Sequence, residues 1–237
     1  MSNSEEKKEE LKIGRKLTDN LVDEETAKKL KRNGTIIGIV VVIALGALGY
    51  YYYSSNQAKK SSQEAVMAMS KVMPEYDGGN YQLALEGGNN SQGVSITGLV
   101  DIANKYGNVN EGKLAALYAA NAYVSSNQYD NAKNYFDKAT ESDAKIVQSG
   151  GYAGMALCYE NAGDYEKAAD NYKKAAEKLD EDLLKSKYLY FSAINYEQAG
   201  KKDKAKSMYE SIVELSGNSE FGHKSKVKLS MLGTKID

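Results

Sequence analysis

Cys158 and His223 are the only cysteine and histidine in the 237-residue chain, so with the carboxylates they bound the reactive chemistry it can do. A thiolate nucleophile needs a base or cation beside it, and a zinc-type site needs several Cys or His ligands. One residue of each kind supplies neither. Cys158 stands in an apolar stretch beside Leu157 and Tyr159, where packing is its expected role, and it has no partner for an internal disulfide. His223 lies among Lys224 and Lys226 near the end of the chain, with no Ser-His-Asp set around it. Glu160, Asp164 and Glu166 fall on helical faces and a turn whose default is solvent. No G-x-x-x-x-G-K run offers a phosphate cradle. Acidic and basic residues nearly cancel, 32 against 31, and no basic patch points to nucleic acid. No catalytic residue, cofactor or metal is therefore expected, and the chemistry left is recognition.

The elements that would position recognition residues repeat along the chain. Tyr129, Ala132, Phe136 and Ala139 are answered 36 residues on by Tyr165, Ala168, Tyr172 and Ala175. The clearest copy runs from Ser149 to Asp180: a helix with Tyr152, Met155, Ala156 and Tyr159, a turn at Ala162-Gly163-Asp164, and a second helix with the Ala168, Tyr172, Ala175 stripe. Residues three and four apart share a helix face, so this stripe of small and large side chains interlocks with a neighbour. Lys113 to Ala144 and Ser186 to Gly217 repeat the plan, the latter with Lys202 in place of the turn aromatic. The pattern resembles the tetratricopeptide repeat, although the terminal proline of that family is missing from all three copies. The resemblance implies an α-solenoid whose concave groove is lined by Leu114, Leu117 and Asn121, then Ala153, Leu157 and Glu160, then Tyr190 and Ile194. Tyr123, Tyr159 and Tyr196 fall at one equivalent place and are expected to pack between helices. The Lys and Asn clamp by which some of these domains hold acidic chaperone tails is not reproduced, since Leu117, Gly150 and Ala153 carry no charge.

Gln63 to Leu85 reads as a degenerate opening repeat, Ile96 to Tyr106 as one extra helix, and Glu220 to Leu232 as an amphipathic cap with a wet outer face. Thr35 to Tyr53 is apolar and uncharged, long enough at about 28 Å to span a bilayer once. It lies too far from the N-terminus to suggest a cleaved signal peptide. Lys28, Lys29, Lys31 and Arg32 precede it and Lys59 and Lys60 follow, so the positive-inside rule predicts a cytoplasmic N-terminus. Gly34 and Gly38 form a small-xxx-small pair suited to packing against another membrane helix.

The expected fold is all-α: a cytoplasmic charged arm at 1–33 containing a helix from Asp23 to Arg32, a transmembrane anchor at 34–54, a linker and degenerate opening repeat at 55–111, three tetratricopeptide repeats at 112–217 and a capping helix at 218–237. This architecture resembles the YfgM-type single-pass family associated with the Sec translocon. That resemblance implies a bacterial inner-membrane protein with periplasmic repeats, binding protein partners through the groove. The alternative is a structural scaffold or accessory subunit of one membrane or envelope-assembly complex.

Overall fold

The computed structural model describes residues 24–234; the arm at 1–23 and the side chains of Gly34 and Gly38 lie outside the described residues. The chain forms two compact units, residues 1–57 and 58–237.

In the first unit the described residues are helical. Helix α1, Glu24–Asp77, is 54 residues long, so the expected short helix in the arm and linker from 55 are instead parts of one element. The reason is local: residues 55–73 contain no glycine or proline and several strong helix formers, Ala58, Lys59, Lys60, Glu64, Ala65 and Ala68 among them. Pro74 falls in the last turn, where its missing N–H removes one i→i−4 bond to the preceding turn, and the helix ends three residues later at Asp77. Ile36, Val40, Val41, Val42, Ile43, Leu45 and Leu48 are all exposed, as are Tyr50 to Tyr53. Among the described residues no helix is long and apolar enough to cross a membrane. The side chains of Thr35, Ile37 and Ile39, within the apolar run, lie outside those residues.

The second unit begins with the C-terminal part of α1, followed by α2 (Tyr81–Glu86), a short antiparallel hairpin of β1 (Gly87–Asn89) and β2 (Ser95–Thr97), and α3 (Leu99–Lys105). Seven helices follow: α4 (Asn110–Ser125), α5 (Tyr129–Thr140), α6 (Lys145–Asn161), α7 (Tyr165–Glu177), α8 (Asp182–Gln198), α9 (Lys202–Ser216) and α10 (Glu220–Met231). Each packs on the next from α3 onward. The hairpin corrects the expected helix from Ile96, because Ile96 pairs with Gly88 and the helix starts at Leu99. Both α2 and α3 pack on α4, so the second helix of the opening repeat is split in two by an inserted hairpin. Glycine is required at its base: a Cβ on Gly98 would lie 2.2 Å from the Leu85 carbonyl oxygen.

The inter-helix turn is reached at Gly79, Asn127, Gly163 and Gly200, one per repeat, each with φ between 58° and 77°. That left-handed conformation costs glycine nothing and asparagine little. Small residues then let the helices close up. Ala115, Ala116, Ala119 and Ala120 of α4 are fully buried, and Ala168, Ala169, Ala175 and Ala176 serve α7 in the same way. In place of the family's terminal proline, the first position of each repeat clasps the far end of its own second helix. Lys113 Nζ donates to the Glu141 carbonyl at 2.8 Å, Ser149 Oγ to the Ala175 carbonyl at 2.8 Å, and the Ser186 and Ser216 hydroxyls lie 2.6 Å apart.

Candidate partner-binding groove

First helices α4, α6 and α8 carry the eight residues expected to line the groove. Leu114, Leu117, Asn121, Ala153, Tyr190 and Ile194 are half-buried, and Leu157 is the open one, 37% exposed. Leu117 reaches the next first helix, where a Cβ on Gly150 would come within 3.1 Å of its side chain. The missing side chain at Gly150 therefore leaves room for the Leu117 side chain, which packs against α6 there. Asn121 lies beside Tyr76 of α1, whose ring meets Tyr118 edge-on at 5.1 Å. Burial, first, and the neighbouring rings of Tyr81 and Tyr118 raise the Tyr76 pKa.

Two of the eight do structural work. Glu160 is not offered to a partner, because Tyr172 donates its hydroxyl to one carboxylate oxygen at 3.0 Å and Asn195 donates to the other at 2.6 Å. The need comes from Asn195, 2% exposed, whose amide must be satisfied where it is buried. Burial, then the Glu160 charge, raise the Tyr172 pKa, so its hydroxyl remains a donor into the alkaline range. Glu197 occupies the corresponding place one repeat later and is engaged by Lys228 at 2.6 Å. Tyr209 beside it is fully buried, and burial first, then the Glu197 charge, raises its pKa. Tyr190 is held in a chain of rings: its centroid is 5.8 Å from Tyr209 and 5.5 Å from Phe221, and Phe221 is 6.4 Å from Phe191. It is an edge of the core as much as a face of the groove.

The repeated tyrosines pack as expected. Tyr123 stacks on Tyr135 at 5.6 Å, Lys133 lies 4.5 Å over the Tyr159 ring, and Tyr196 donates to Asp170 across the α7–α8 pair.

Cys158 is 5% exposed in a cluster with Ala120, Ala132 and Phe136. Burial pushes its thiol up to about 11. A folded-state pKa above the unfolded one means the neutral thiol is kept in the fold. Stability is unaffected below the unfolded value of about 9 and falls as pH rises toward 11. Native protein at neutral pH is thus expected to react with a thiol reagent more than tenfold slower than urea-unfolded protein. Equal rates would show that Cys158 is not shielded.

Sequence reasoning missed two exposed side chains of α10, Val227 and Met231. Their signal was the repeat spacing itself: 117, 153, 190 and 227 continue one series, and 121, 157, 194 and 231 another, at steps of 36, 37 and 37.

None of the curated proteins compared with the chain matches it. The sequence model of the family described as Iml2/Tetratricopeptide repeat protein 39 matches residues 34–232, which include the apolar run, the hairpin and every helix from α2 to α10. Stacked helical pairs, left-handed turn residues and small-residue interfaces are the physical content of that match, and repeats of this type generally mediate protein–protein interaction. The chain belongs to the Iml2/Tetratricopeptide repeat protein 39 family.

Proposed function

We propose that this protein is a membrane-tethered adaptor that holds protein segments in its concave groove and performs no reaction on them. The observation that carries the reading is the row of apolar residues on successive first helices, Leu117, Ala153 and Leu157 above all, with Leu157 the most open of them. The groove carboxylate Glu160 already accepts from Tyr172 and Asn195, which leaves the apolar side chains beside it as the main contacts for a partner. Apolar surface of this kind gains about 25 cal/mol for each Å² removed from water.

The tether is the uncharged run from Thr35 to Tyr53. Val40, Val41, Val42 and Ile43 are consecutive and so point to every side of α1, and all four are exposed. A helix apolar all round finds its partners in lipid or inside a protein. Tyr50 to Tyr53 at one end suit a membrane interface, and the basic residues before the run favour a cytoplasmic N-terminus with periplasmic repeats in a bacterial inner membrane. Resemblance to the YfgM-type family extends this to clients emerging from the Sec translocon. The rival reading is a scaffold subunit with one stoichiometric partner.

Carbonate extraction is expected to leave the full chain in the membrane pellet, and release into the supernatant would remove the tether from the proposal. Crosslinking in native membranes, with quantitative mass spectrometry, is expected to recover translocon subunits with many exported proteins. The Leu157→Asp variant should lose most of that yield at unchanged helicity. One stoichiometric complex without translocon subunits would instead establish the scaffold.

A further inference from the structure

We draw no further inference here: the strongest candidate, the open cleft between the β1–β2 hairpin and the α1–α2 turn, has only the half-buried Glu75, already accepting from Asn80, and the exposed Glu86 as charged groups in its wall, and nothing in the structure shows what fills it.

Discussion

Replacing Phe136 with alanine is expected to destabilise the repeat unit by about 3–5 kcal/mol, the range found for aromatic-to-alanine changes in closed cores. Phe136 is 1% exposed and belongs to α5, but the space it fills is cut into the next helix. A Cβ on Gly154 of α6 would lie 2.1 Å from its ring, and one on Gly151 would lie 2.9 Å from its carbonyl oxygen. The ring and the two glycines are halves of one fitted contact, so the site cannot collapse when the ring is removed without sliding α6 on α5. In a linear stack each repeat touches only its neighbours, and the loss falls on one junction. The predicted signature in a urea melt is a lower midpoint and a broader transition, as the α4–α5 part uncouples from α6 and the later helices. Gly154→Ala should be damaging for the mirror-image reason. Joined to Phe136→Leu it should cost less than the two changes summed. A sharp melt at the original midpoint for Phe136→Ala would show that this contact does not join the repeats.

Helix positions in the three repeats were legible because their signals are local and redundant. Ala132, Phe136 and Ala139 lie on one face by spacing alone, and Asn127, Gly163 and Gly200 mark the turns by their tolerance of positive φ. The hairpin was not legible, since the Gly- and Asn-rich stretch from Gly87 to Gly93 has no alternating apolar pattern and only the pairing of Ile96 with Gly88 reveals strands three residues long. The length of α1 was hidden by the expectation that an apolar run must be followed by a linker. In the groove, exposure depends on the side chains that the neighbouring helix brings, and spacing does not tell these. Leu157 stayed open, Tyr190 was taken up by Phe221 and Tyr209, and Glu160 turned inward to a partner 35 residues away.

Glu160→Val is the second large effect expected, a loss of about 2–4 kcal/mol, because it leaves two buried donors without their charged acceptor. Asn195 keeps a bond to the Phe191 carbonyl at 2.9 Å, but the Tyr172 hydroxyl is left with none in a site 7% exposed. The protein contains its own control for this reading. One junction earlier, the places of Glu160, Tyr172 and Asn195 are held by Val124, Phe136 and Cys158, which pack together as an apolar cluster. Two solutions to one packing problem thus stand side by side, and each works only as a set. The triple variant Glu160→Val, Tyr172→Phe, Asn195→Cys should therefore recover most of the stability that Glu160→Val alone loses, since removing every polar member of a network costs less than orphaning some of them. Thermal unfolding of the single and triple variants measures this directly. A triple variant less stable than Glu160→Val would mean that the two junctions differ in shape as well as polarity. Restored stability with the groove still open at Leu157 would separate the structural duty of Glu160 from any part in holding a partner.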